Sequence, residues 1–242
     1  RGTQRLNAPA FATLVDSMAA SISGSSGRNS LGVAVEGLSR FFNPLLKLLG
    51  EVIHQPSFEL EEIEKARQDI LAEIKREDDN LSRSAFKLFF RMLYGVHPYA
   101  LPVNGTTESV NQLTREELIA YYHSLATPDN LVLTVVGDVK TSYVIRNVQE
   151  VFGQPNDSKA SLVDPPDPSP PAAPIQKTIS RDKKQAHIAY GFLGTTLKNP
   201  DRYPLAILNS VLSGQGGRLF LELRDRQSLA YAVSSFHFEG TE

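Results

Sequence analysis

A single proline-dense segment limits what this chain can fold into more than any other feature. Seven of the 15 prolines lie between Gly153 and Pro174, most of them in Asp164-Pro165-Pro166-Asp167-Pro168-Ser169-Pro170-Pro171. Each proline removes a backbone donor and fixes φ, so prolines at this density sustain neither a helix nor a central strand. The segment reads as an extended linker of polyproline II character. The chain then divides into a first domain over residues 1–152, a linker over 153–176 and a second domain over 177–242.

The patterns on either side of the linker are mixed. Asn7 is placed to cap a helix with Phe11, Leu14, Val15 and Met18 on one face. Gly24-Ser25-Ser26-Gly27 reads as a break, and Leu31 to Leu38 alternates as a strand does. Helices are expected over about 41–54, 59–80 and 82–93, the second with the stripe Ile63, Ile70 and Ile74. Thr114 and Glu117 form a capping box for a helix running to about Ser124. A buried strand is expected over Leu131–Asp138 and a helix over Thr141–Phe152. Beyond the linker come a strand over His187–Phe192, a helix over about Arg202–Leu212, and a strand from Tyr231. This order is no regular alternation of strand and helix, so the expected class is α+β. The last strand meets no later partner before Glu242, and the second domain is read as incomplete.

Composition excludes several functions. A net charge of -2 and the lack of a basic stripe argue against a nucleic-acid partner or attraction to an anionic membrane. No apolar run approaches the roughly 18 residues that span a bilayer. The absence of cysteine removes disulfides and thiolate metal ligands. The chain opens at Arg1 without a basic-then-apolar leader, and its true start is expected upstream.

The most informative chemistry lies in Gly214-Gln215-Gly216-Gly217-Arg218-Leu219-Phe220-Leu221-Glu222-Leu223-Arg224, followed by Ser228-Leu229-Ala230-Tyr231. The spacing of the glycines fits neither a Walker A loop nor a dinucleotide fingerprint, so it reads as a tight turn opening a helix. That helix ends at Arg224, and a strand starts at Tyr231. An arginine and a phenol held this way can both reach one polarised oxygen.

This stretch resembles the signature of the pitrilysin (insulinase) family of zinc peptidases, whose catalytic members carry an inverted His-x-x-Glu-His motif. Further pieces agree in order and spacing: Arg1-Gly2-Thr3, His54-Gln55-Pro56-Ser57-Phe58, Ile70-Leu71-Ala72-Glu73-Ile74, Tyr94-Gly95-Val96-His97-Pro98-Tyr99, Gly105-Thr106-Thr107-Glu108, and Pro128-Asp129-Asn130-Leu131 through Gly137-Asp138-Val139. The resemblance implies two related α+β domains, each a mostly antiparallel sheet packed against helices. It also implies that Arg224 and Tyr231 face the zinc from the opposite half of the enzyme and bind the substrate carbonyl and its oxyanion. Gly214, Gly216 and Gly217 would lie by the chamber wall as substrate contacts.

The departures point to the metal-free half. The histidines are His54, His97, His123, His187 and His237, and no two share a helix face as ligands. Glu73 stands at the family's third-ligand position, on the flank of the apolar stripe, where either an inward or a solvated carboxylate is compatible. Ala66 replaces a glutamate common in active members. No metal site is therefore expected in this chain. Zinc would be held by a catalytic half, on the same polypeptide or a partner subunit, and the substrate would be a peptide or small protein. The alternatives are a truncated catalytic half whose zinc motif precedes Arg1, and a non-catalytic scaffold or recognition subunit. A scaffold has no need of both Arg224 and Tyr231.

Overall fold

A computed structural model of the chain describes residues 2–153, 160 and 165–240. The rest of the expected linker, residues 154–159 and 161–164, lies outside the described residues, and 165–176 contain no helix or strand. Two compact units form. One draws on residues 2–84, 102–153 and 160, the other on 85–101 and 165–240.

In the first unit, helix α1 (Ala8–Ser17) starts where Asn7 caps it, the side chain accepting from the Ala10 amide at 3.1 Å. Strands β1 (Ser21–Ser26) and β2 (Leu31–Glu36) form an antiparallel hairpin, with Ser21 opposite Glu36 and Ser26 opposite Leu31. The expected break at Gly24–Gly27 is thus corrected: Ser21–Ser26 is a strand, and the turn lies at Gly27–Ser30, where Gly27 N–H donates to Ser30 O at 2.9 Å. Serine and glycine have little strand propensity, and pairing with the stronger Leu31–Glu36 overrides it. Ile22 and Val35, directly paired, are the partly buried residues of the two strands and pack on the core of Val15, Met18, Leu45 and Leu48.

Helix α2 (Phe42–His54) buries Leu45, Leu46, Leu48 and Leu49, four positions on a face of helical period. It packs against α7 (Thr141–Phe152), where Gly50 admits Val151 so closely that a Cβ would overlap it. Helix α3 (Leu60–Asp79) buries only Ile74; Ile70 of the expected stripe is exposed. Polar contacts do more here: the Arg67 guanidinium donates to the carbonyls of Val110 and Leu113, capping the end of α5 (Thr107–Gln112). Helix α4 (Leu81–Tyr94) follows α3, and α6 (Arg115–Leu125) opens at the expected Thr114–Glu117 capping box.

Tyr122 of α6 donates its hydroxyl to the Ile53 carbonyl at 2.7 Å, near the end of α2. Burial pushes this phenol above its ordinary value of 10.0, so the neutral donor persists through neutral pH. The group is raised in the folded state, so its contribution is present below pH 10 and lost as pH rises through the higher folded value. Tyr122→Phe is expected to lower stability by about 0.5–1.5 kcal/mol, read as a lower urea midpoint at unchanged slope.

The second unit gathers aromatic rings. Phe90 lies 5.8 Å from Phe238 and Tyr99 5.5 Å from Phe238, both edge-on, and Phe86 meets Phe236 at 5.3 Å. Gly191 faces Phe89, and a Cβ there would stand 2.9 Å from the ring. Helix α8 (Arg202–Leu212) completes the regular part.

The fold is α+β, and the only sheet among the described residues is the hairpin. The strands expected over Leu131–Asp138, over His187–Phe192 and from Tyr231 run without a ladder. Their alternation is real: Ile188 (91%), Tyr190 (84%) and Phe192 (75%) are exposed while Ala189, Gly191 and Leu193 point inward. A strand exists only by pairing, and alternation reports the faces of a segment without supplying its neighbour.

Candidate functional site

The site follows α8. Its approach is a turn over Ser213–Gly217, closed by Gly217 N–H donating to Gly214 O at 3.1 Å. The three glycines have different reasons to be there. Gly214 has φ +81°, a backbone conformation that side chains rarely adopt. At Gly217 an added Cβ would stand 2.6 Å from Leu212 O and press on Ser213 O. Gly216 has open space around it.

Helical backbone begins at Arg218 and widens into a π-helical turn over Phe220–Arg226. Gln227 N–H donates to Glu222 O at 3.0 Å, the i→i+5 bond that defines such a turn. The Glu222 carboxylate fastens the end, accepting from Arg226 Nη1 at 2.7 Å and Gln227 Nε2 at 2.6 Å. Ser228 takes φ +53°, a left-handed residue that turns the chain back, and Leu229 N–H donates to Leu223 O at 2.8 Å. This return brings Arg224 and Tyr231 together: the guanidinium carbon lies over the Tyr231 ring, 5.1 Å from its centre. It also lies 4.6 Å from the centre of the Phe220 ring. Tyr231 is 84% exposed, so the pair is open to a ligand. A fixed cation and a phenol donor at one place are suited to an oxygen that gains negative charge.

The sequence pointed to Arg224, Tyr231 and the glycines but not to Phe220, Glu222 or Ser228. The i,i+4 spacing of Phe220 and Arg224 was the available signal for the first. Nothing local announces a left-handed serine.

Glu73 of α3 shows which of its two compatible environments it occupies. Its carboxylate accepts from Arg76 Nε at 2.8 Å and Arg83 Nη1 at 2.7 Å. These two hydrogen bonds, Arg76 first, hold the carboxyl below its ordinary value of 4.5. The ion pairs therefore persist above pH 4.5 and are lost as pH falls through the lowered folded value. A carboxyl-detected titration by NMR is expected to place the Glu73 midpoint below 4.5, and Arg83→Ala to move it back up.

The histidines are dispersed. His97 is buried, and its Nδ1 accepts from the Tyr99 amide at 3.1 Å. His54 meets Phe152 at 5.4 Å, and His237 Nδ1 lies 3.5 Å from Glu239 Oε1. His123 is exposed, because its neighbour Tyr122 is the residue that turns inward. Among the described residues no group of three or more His, Asp or Glu gathers as metal ligands. With Glu73 held by two arginines, no set of side chains among the described residues fits a zinc ion.

Residues 112–242 match the family described as the peptidase M16 inactive domain, and residues 1–107 match the insulinase peptidase family M16. The chain belongs to the M16 (insulinase) peptidase family. It is 27% identical over 239 residues to the uncharacterized zinc protease YmxG of Bacillus subtilis, covering 98% of this chain and 57% of that protein. It therefore spans little more than half the length of that relative. The fold is shared with the peptidase M16 inactive domain from Pseudomonas fluorescens at TM-score 0.82 and 24% identity, covering 99% of this chain and 58% of that one. It is shared also with a protease from Helicobacter pylori at TM-score 0.76 and 20% identity, covering 100% and 59%. No helix among the described residues is long and apolar enough to cross a membrane.

Proposed function

We propose that this chain is the metal-free half of a zinc metalloendopeptidase, closing the chamber and binding substrate for a catalytic half. The observation that carries this reading is the contact of Arg224 with Tyr231 on an exposed turn. The pair would receive the carbonyl oxygen of a peptide or small protein and stabilise the oxyanion as it forms. Zinc, with its two histidines and general-base glutamate, would belong to the other half, on the same polypeptide or a partner subunit. Gly214, Gly216 and Gly217 would border the bound peptide. The division into domains over 1–152 and 177–242, joined by the linker 153–176, is part of the same proposal.

The match of residues 112–242 to the inactive domain supports the metal-free half, as does the lack of any His-x-x-Glu-His in the sequence. The match of residues 1–107 to the peptidase family itself favours a second reading, a catalytic half whose zinc motif precedes Arg1. A His-x-x-Glu-His encoded upstream of Arg1 would select the second reading. The deciding experiment is zinc content after dialysis against trace zinc, beside peptide hydrolysis. The chain is expected to hold under about a tenth of an equivalent and to show no chelator-sensitive hydrolysis. One tightly held equivalent, or hydrolysis abolished by chelator, would overturn the metal-free assignment.

A further inference from the structure

We propose that Phe220 is a positioning residue, its ring serving as the platform that aims the Arg224 guanidinium at the oxygen-binding space beside Tyr231. The inference rests on the reading of Arg224 and Tyr231 as the carbonyl-binding pair. An arginine side chain is long, and left to itself it samples many rotamers. Here two rings receive the cation, Phe220 at 4.6 Å and Tyr231 at 5.1 Å, close enough for both π faces to attract it. Of the two, Tyr231 is 84% exposed and needs its hydroxyl for the ligand, whereas Phe220 is half-buried and has no polar atom to offer. Phe220 stands one turn before Arg224 on the same π-helical segment, so backbone geometry fixes their spacing.

The neighbouring charges are arranged to leave this contact intact. Glu222, the acid nearest in sequence on the N-terminal side, has both carboxylate oxygens occupied by Arg226 and Gln227. Arg224 itself forms no ion pair among the described residues. Its donors are therefore kept for a ligand while its flat faces are held by rings. A stacked guanidinium still presents its edge, which is the part that donates hydrogen bonds.

The test is NMR of the Arg224 Nε–Hε group in this chain, with Phe220→Leu and Phe220→Tyr compared against the parent. A ring above the guanidinium shifts the Hε resonance upfield and restricts the side chain. Phe220→Leu is expected to shrink the shift to the part that the Tyr231 ring imposes and to lower the order parameter below about 0.6, and Phe220→Tyr to restore both. The backbone amide spectrum reports whether each variant is folded, so loss of fold is not mistaken for loss of aim. An Arg224 as shifted and as ordered in Phe220→Leu as in the parent overturns the proposal. In the assembled peptidase, Phe220→Leu is expected to lower kcat about 10- to 100-fold at nearly constant KM, with rescue by tyrosine. Arg224→Ala in the same assay separates the two levels. If it leaves kcat unchanged, the carbonyl-binding reading fails, whereas the NMR comparison still decides whether Phe220 aims the cation.

Discussion

Arg224→Ala, measured in the assembled peptidase, is expected to lower kcat by roughly 10²- to 10³-fold while KM changes little. The reason is where the charge develops. A ground-state carbonyl carries a partial charge, and the tetrahedral intermediate places a full negative charge on the same oxygen, so a fixed cation favours the later state. Arg224 is suited to this because Phe220 and Tyr231 hold it without consuming its donors. Arg224→Lys keeps the charge but loses the planar fork that stacks and donates, and it should recover only part of the rate. A KM effect as large as the kcat effect would mean that Arg224 binds substrate and transition state alike.

Gly217→Ala should have the largest effect on folding of any single-methyl change near the site. The new Cβ would stand 2.6 Å from the Leu212 carbonyl and would also meet that of Ser213. Both obstacles are backbone atoms, which cannot rotate away as a side-chain tip can. The expected loss is about 1–3 kcal/mol, which for a chain of this length lowers Tm by about 2–4 °C per kcal/mol. Gly216→Ala is the control. Open space surrounds Gly216, so its stability should change by no more than about 0.5 kcal/mol. Equal losses at Gly216 and Gly217 in a thermal melt would refute the steric account. A Gly216 variant of normal stability that turns over peptides poorly would instead support a substrate contact at that residue.

Local signals made much of this fold legible. Asn7 capped its helix, the Thr114–Glu117 box opened another, and the leucines of α2 fell on the buried face their spacing required. These are short-range rules that depend on a few consecutive residues. The failures were of the opposite kind. Gly24–Gly27 looked like a breaker, yet Ser21–Ser26 is a strand because its partner lies across a turn. Leu131–Asp138 and His187–Phe192 had strand composition and found no ladder. Ile70 continued an apolar stripe yet is exposed, because α3 meets α5 largely through the Arg67 guanidinium.

The candidate site divides the same way. Arg224 and Tyr231 were visible as residue types at a characteristic spacing, and the structure brings them together. What joins them was not visible. The left-handed turn at Ser228 and the Glu222 clasp depend on a backbone that leaves α-helical register. Glu73 could be read two ways from its place on α3, and only the approach of Arg76 and Arg83 decides between them.

The π-helical turn sets an unequal tolerance for two kinds of sequence change. Its bond from Gln227 to Glu222 spans one residue more than the bond of an α-helix. Removing a single residue inside Phe220–Arg226 would let the segment relax to ordinary α-helix, rotating everything beyond the deletion by about 100°. Arg224 and the return at Ser228 would then no longer share a side of the turn. Point replacements on the outer face, at Leu221 or Asp225, leave that register untouched. The aim of the guanidinium is thus encoded in how many residues the turn contains, and a family of such chains could vary its spelling widely while its length stays fixed.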